Sequence, residues 1–332
     1  MSSFSYARRL FHTPLLGIIA TSALFFSAAA LAAWPERPVQ MVVPFPAGSS
    51  PDILARAIAE PLTQELGQPV VIENKPGAGG NIGTRYASKA KPDGYTMLLT
   101  INGPMVTAPT LYKKTLGYDP LMDLAPITLI GTSPNVLVVP ENSPAKNLAE
   151  FVALAQSRPG ALNYGSVGPG SSSHLAMAMF EHQGGIKLQQ IPYSGFPQII
   201  TSILNNDIQA GFMVPGIAMP QIQAGKARAL AVTSLDASDL LPGIPPMAEQ
   251  GFPGFESISW DAIFVPAGTP PDIVDRLNRS ITAILARDDV KQKMAALYFT
   301  PAPSTPAELT ELIVNEKKRW DEVIARLNLT LD

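Results

Sequence analysis

Val39-Gln40-Met41-Val42-Val43-Pro44-Phe45-Pro46-Ala47-Gly48-Ser49-Ser50-Pro51-Asp52 is the stretch whose reading decides the fold. The apolar run Val39 to Val43 reads as a buried strand. Ile53, Leu54, Ala57, Ile58 and Leu62 follow with the spacing of a helix face. Between them, Ser50 is predicted to cap the helix and Pro51 to be its first residue. A strand–turn–helix of this kind directs backbone N–H groups and the positive helix end outward, ready for an anion. Its plainer reading is an ordinary capped helix start. The device recurs at Gly165-Ser166-Val167-Gly168-Pro169-Gly170-Ser171-Ser172-Ser173-His174, where small residues let backbone approach a ligand closely. Two such cradles suggest one ligand held between two halves.

The first residues stand apart from the fold. Arg8 and Arg9, the apolar run Leu15 to Leu31 and the small-x-small site Ala30-Leu31-Ala32 read as a secretory signal peptide over 1–32. A retained anchor is the alternative, though the apolar run is short for a span. Cleavage leaves about 300 residues, enough for two domains. The net charge of the whole chain is −3, and losing Arg8 and Arg9 leaves 22 cations against 27 carboxylates, a net −5. An acidic chain without a dense basic cluster argues against nucleic acid. The lack of cysteine excludes disulfides, thiolate catalysis and Cys-ligated metals.

Along the mature chain, strands alternate with helices in two successive runs, which implies βαβ units and a mostly parallel sheet in each half. The expected fold class is α/β, with two domains. Residues 33–133 with 260–332 form the first and 134–259 the second. Extended segments near Ser133–Val139 and Ser257–Val265 make two hinge crossings, and three closing helices from Pro271 onward return to the first domain. The cleft between such domains is the natural ligand site.

The cradles hold neither lysine nor arginine, which favours a carboxylate over a phosphate. Gly77-Ala78-Gly79-Gly80-Asn81-Ile82-Gly83 approaches a dinucleotide fingerprint but places Ile82 where the third glycine belongs. His174 and His182 are eight residues apart, about 80° around a helix, a poor geometry for sharing a metal. The serine pattern misses the nucleophile-elbow spacing, so neither metal, cofactor nor catalysis is expected. Phe45, Tyr193 and Trp260 stand at predicted strand ends, where α/β clefts form, or else pack at domain edges.

Together these residues carry a family pattern. The matching stretches include Trp34-Pro35-Glu36-Arg37-Pro38, Val42 to Gly48 and Glu73-Asn74-Lys75-Pro76-Gly77-Ala78-Gly79-Gly80-Asn81-Ile82-Gly83. Asn163-Tyr164-Gly165-Ser166, Ser171-Ser172-Ser173-His174, Pro192-Tyr193 and Pro266-Ala267-Gly268-Thr269-Pro270 continue the pattern. Over its mature length the chain resembles the periplasmic solute-binding proteins of tripartite tricarboxylate transporters, the Bug family. The resemblance implies a type II-like flytrap, without catalysis, that bridges a carboxylate between its two loops, partly through ordered waters. Carried over residue by residue, the first loop falls on Pro46, Ala47, Gly48, Ser49, Ser50 and Asp52, beside Phe45. The second falls on Ser166, Gly168, Gly170, Ser171, Ser172, Ser173 and His174, with Tyr193 in the family's P-Y motif.

Two departures bear on the ligand. The family's first loop usually reads G-G-S-T-D; here Pro51, lacking an N–H and a hydroxyl, removes a donor. Phe212-Met213-Val214 stands where many members have Phe-Asp-Asn, so Met213 lines the site without a charge for an ammonium. That disfavours amino acids and favours a dicarboxylate or an aromatic acid. The expected partners are this small organic carboxylate and the membrane permease subunits of a tripartite carboxylate transporter, met by a periplasmic monomer. A sensor subunit that presents its ligand to a signalling receptor, or a secreted serine hydrolase using His174, are the alternatives.

Overall fold

The computed structural model describes residues 1–2, 34–168, 171–326 and 328–331. The predicted signal peptide and Gly170 of the second cradle lie outside the described residues. No helix among the described residues is long and apolar enough to cross a membrane.

The chain opens with β1 (Val39–Val43), α1 (Ser50–Leu66), β2 (Val70–Asn74), α2 (Asn81–Ser88), β3 (Thr96–Ile101) and α3 (Ala108–Leu111). The long strand β4 (Leu124–Pro134) is separated from β5 (Val136–Pro140) by Asn135 alone. The next run is α4 (Leu148–Ser157), β6 (Asn163–Ser166), α5 (Ser172–Gly184), β7 (Gln189–Pro192), α6 (Phe196–Leu204), β8 (Ala210–Met213), α7 (Pro215–Gln223) and β9 (Ala227–Val232). β10 (Ile258–Pro266), α8 (Pro271–Leu285), α9 (Asp288–Ala295), β11 (Thr300–Pro301) and α10 (Pro306–Arg326) complete the fold.

These strands form two sheets, ordered β11-β4-β10-β3-β1-β2 and β7-β6-β8-β5-β9. Apart from β11, the two orders are the same. β2, β1 and β3 of the first correspond to β7, β6 and β8 of the second, and β10 and β4 correspond to β5 and β9. The expectation of mostly parallel sheets needs correction, because both are mixed. β1 runs parallel to β2 and β3, and β6 runs parallel to β7 and β8. β10 lies antiparallel between β3 and β4, as β5 does between β8 and β9. The reason is topological: a strand entering from the other half arrives from the opposite end of the sheet. Alternation of strand and helix in sequence carries no sign of this.

Each sheet is covered on both faces. In the first, Met41, Val43, Leu99 and Ile263 pack under α1, α8 and α9, contributed by Leu54, Ile58, Leu277, Ile281 and Met294. The i, i+4 pair Leu277 and Ile281 forms the apolar stripe of α8, and full burial of each contributes about 1.5–3 kcal/mol. The other face, with Val42, Leu98, Trp260 and Phe264, packs on Leu309, Ile313 and Trp320 of α10. In the second sheet, Leu137 and Phe212 face Phe151 and Phe180 of α4 and α5.

The crossings are fastened to one another. The Asn135 N–H donates to Thr233 Oγ1 (2.8 Å) and its side-chain amide donates to the Ser257 carbonyl (3.1 Å). Thr233 N–H donates back to the Asn135 carbonyl (3.0 Å), and Ser257 N–H donates to the Thr233 carbonyl (2.9 Å). Asn135 and Thr233 are fully buried. Asn135→Ala removes one of two donors to the Ser257 carbonyl, the Thr233 hydroxyl (2.7 Å) being the other, and is expected to cost about 1 kcal/mol. Urea unfolding measures this, and a change under about 0.5 kcal/mol would show the tie to be dispensable.

Candidate functional site

The first cradle is shaped by one carboxylate. Asp52 is buried, and its Oδ2 accepts from the Gly48 N–H (2.9 Å) and from Arg56 Nε (3.0 Å). Its Oδ1 accepts from the second Arg56 nitrogen and from Asn74 Nδ2, both at 3.0 Å. Asn74 also donates to the Phe45 carbonyl (3.0 Å), which ties the loop to the end of β2. Burial opposes ionisation of Asp52, but the hydrogen bonds from Arg56, Gly48 and Asn74, with the Arg56 charge, outweigh it and hold its pKa below the usual carboxylate range. The role expected for Asp52 at the ligand is therefore corrected: its oxygens are taken, and it holds the loop in shape. Gly48, at φ +79°, makes the turn that brings its N–H back to Asp52.

The helix start shifts by one residue from the expected position. Ser49 occupies the cap (φ −73°, ψ 160°), Ser50 is the first helical residue and Pro51 the second. The Ser49 hydroxyl is buried and accepts from no N–H of its own helix. It has no hydrogen-bond partner among the described residues.

The glycine-rich stretch that approached a dinucleotide fingerprint supports this cradle. A Cβ on Gly80 would stand 2.7 Å from the Phe45 ring and 2.9 Å from Pro104. One on Gly83 would stand 2.6 Å from the Lys75 carbonyl and 2.7 Å from Pro44. These glycines are required by close packing against residues 44 and 45, which accounts for the motif without a phosphate.

The second cradle spends most of its hydroxyls on itself. Ser171 caps α5, accepting from the His174 N–H (3.3 Å) while donating to the Gly168 carbonyl (2.7 Å). Ser173, fully buried, accepts from the Val167 N–H (3.2 Å). Ser166 accepts from Gln190 Nε2 (2.7 Å) and the Gly168 N–H (3.3 Å). Ser172 is half-buried in the first turn of α5, and its hydroxyl makes no hydrogen bond among the described residues. The two helix starts thus offer a ligand the Ser49 and Ser172 hydroxyls, beside N–H groups of each first turn that have no helical acceptor.

His174 is buried, and burial lowers its pKa, so it brings no fixed positive charge at neutral pH. Tyr193 is half-buried against the cluster that holds Val136, Ile199 and Ile203, and its N–H donates to the Ser166 carbonyl (2.8 Å). Phe45 is half-buried, while Pro46 and Ala47 are exposed. Met213, expected at the ligand, is fully buried among Val136, Ile199 and Ile203, which gives it a place in the packing. Trp260 is also core, with Nε1 donating to Glu316 (3.1 Å).

Sequence reasoning passed over a set of buried polar atoms at the cradle end of the first sheet and at the crossings. Thr100 Oγ1, Asn102 Oδ1, Asn135 Oδ1 and Asp261 Oδ1 have no hydrogen-bond partner among the described residues. For Asn102 and Asn135 the sequence signal is a polar residue closing an apolar strand, whereas Asp261 lies inside β10. Asp261 is fully enclosed, and burial pushes its pKa up to about 8. Among the described residues no cluster of His, Asp or Glu could hold a metal ion. A groove of about 360 Å³ lies along Ser234–Leu240, Pro134 and Ile258, but none of its lining residues belongs to a cradle.

Known proteins share this architecture. Residues 54–329 match the family described as the tripartite tricarboxylate transporter family receptor. BugT of Bordetella pertussis is 35% identical over 92% of this chain and 96% of its own. The periplasmic binding protein BugD superposes with a TM-score of 0.82 at 35% identity, over 90% of this chain and 99% of its own. Rpa4515 of R. palustris, solved with adipate, superposes with a TM-score of 0.84 at 33% identity, over 90% and 99%.

The enclosed Asp261 sets a pH dependence. Its folded pKa lies above the unfolded value near 3.8, so its favourable contribution is complete below that value and is lost as pH rises towards about 8. Relative to Asp261→Asn, the wild type is expected to lose about 1.4 kcal/mol per pH unit across that window. Parallel stability–pH curves for the two proteins would contradict this.

Proposed function

The chain belongs to the tripartite tricarboxylate transporter receptor family, and from that premise we propose that it is a periplasmic binding protein. It captures a small organic carboxylate and delivers it unchanged to membrane permease subunits. The observation that carries the reading is the pair of helix starts, each with a serine hydroxyl that has no hydrogen-bond partner among the described residues, and neither with a lysine or arginine in its loop. Such a pair suits the delocalised charge of a carboxylate, which amide and hydroxyl donors satisfy. The adipate held by a relative with the same fold supports a dicarboxylate. Met213 and the other residues of β8 supply no carboxylate, and the oxygens of Asp52 are already bonded, which favours an acid without an amine, because a buried ammonium would lack a counter-charge.

The two domains of this reading are residues 33–133 with 260–332, and 134–259. Leu175, in the first turn of α5, belongs to the same buried cluster as Met105, Val106 and Trp260 of the first sheet's half. A ligand reaching both cradles would add to that contact and shift the population towards the closed form. The closed form is then what the permease meets.

In a thermal-shift panel, dicarboxylates or aromatic acids at about 100 times Kd are expected to stabilise the protein by about 2.7 kcal/mol, while aspartate and glutamate do not. An equal shift with the amino acids would remove the argument from Met213. Ser172→Phe should abolish the shift and leave the ligand-free melting temperature within a few degrees of wild type. Retained binding in that variant would take the second cradle out of the site.

A further inference from the structure

Because the two sheets share one strand order, their positions can be matched. Each crossing strand carries a bulge against its outer neighbour, between Asp261 and Ala262 in β10 and between Leu137 and Val138 in β5. Asp261 therefore corresponds to Leu137. Their partners on the third parallel strand, Ile101 and Phe212, correspond in turn. The next residue along is Asn102 in the first half and Met213 in the second. Met213 is sealed in a hydrophobic cluster. Asn102 is buried to a similar degree, at 6% exposure, but polar.

The Asn102 amide is oriented by its surroundings. Nδ2 donates to the carbonyl of Ile258 on the crossing strand (3.1 Å), which leaves Oδ1 as a fixed acceptor with no partner among the described residues. A buried carbonyl without a donor is costly, and its retention calls for an occupant. The π turn Gly103–Thr107 follows directly, a local geometry that concentrates at functional sites. Pro104 of that turn packs beside Gly80 with Phe45 of the first cradle, and Met105 and Val106 share a cluster with Leu175 of the second cradle's helix. The turn that carries Asn102 thus adjoins both cradles.

We propose that Asn102 is a specificity-determining residue of this site, a preset acceptor for a hydroxyl on the bound acid, so that the protein selects hydroxylated carboxylates over their deoxy counterparts. A hydroxyl has a single donor hydrogen, which one amide oxygen satisfies. An ammonium brings three donors and a charge that one neutral acceptor does not offset. The proposal rests on the carboxylate reading above.

The test is calorimetric, on wild type and Asn102→Ala, with three pairs of acids that differ by one hydroxyl: malate and succinate, citrate and tricarballylate, mandelate and phenylacetate. In at least one pair the hydroxy acid is expected to bind wild type about tenfold tighter or better. Asn102→Ala should erase that ratio and leave the deoxy acid's Kd within about threefold, since nothing the deoxy acid contacts has been removed. Should Asn102→Ala fail to fold, Asn102→Thr, which keeps an acceptor oxygen, is expected to retain a preference for the hydroxy acid. Binding without discrimination, discrimination that survives Asn102→Ala, loss of the preference in Asn102→Thr, or aspartate binding tighter than malate would each overturn the role of Asn102 and leave the carboxylate reading standing. Binding of none of the six acids would overturn both.

Discussion

Two sheets can share one ligand only if the chain passes between them at a common seam, and the hydrogen bonds among Asn135, Thr233 and Ser257 are what hold that seam together. The passage from β4 to β5 takes a single residue. There the backbone leaves one ladder before joining the next, so its polar groups would be orphaned in a buried place. Thr233 and Ser257, at the two ends of the long connection from β9 to β10, supply the missing partners. The antiparallel placement of β5 and β10, the bulges beside them and the matched strand orders all follow from strands that enter each sheet from the other half.

The site obeys the same accounting of polar groups. Each cradle needs a tight turn at a strand end, and a tight turn needs internal donors and acceptors to hold it. In the first cradle Asp52, Arg56 and Asn74 perform that task; in the second, Ser166, Ser171 and Ser173 do. What remains for a ligand is small: the Ser49 and Ser172 hydroxyls and the first-turn amides of α1 and α5. The one cation in these cradles, Arg56, is already paired with Asp52, so a ligand held there would be selected by geometry and hydrogen bonding more than by charge.

Much of this was legible in the residues. The run Val39–Val43, the turn after it and the apolar spacing from Leu54 to Leu62 announced strand, cradle and helix, and the repeat at Gly165–His174 announced the second half. The three closing helices were evident from Ile273, Leu277, Ile281, Leu309, Ile313 and Trp320. The cap at Ser49 was misplaced by one residue, because Ser49 and Ser50 are equally good caps and Pro51 is tolerated at either of the first two helical positions. Asp52 and Met213, both expected at the ligand, are engaged by the fold itself, Asp52 with Gly48, Arg56 and Asn74 and Met213 in the packing. A residue's type shows what it can bond to but not which of its neighbours have already claimed it.

The sequence by itself determined the local devices: which segments extend, which coil, where the turns place glycine and serine, and that neither cradle loop contains a lysine or arginine. These follow from periodicity and turn chemistry, which act over a few residues. Tertiary structure alone decided the sense of the crossing strands, the division of hydroxyls between loop and ligand, and the burial of Asn102 Oδ1 and Asp261 Oδ1 without a partner among the described residues. Each of those depends on contacts between residues far apart in the chain, such as Asn102 with Ile258 and Asn135 with Thr233, which local propensity does not encode.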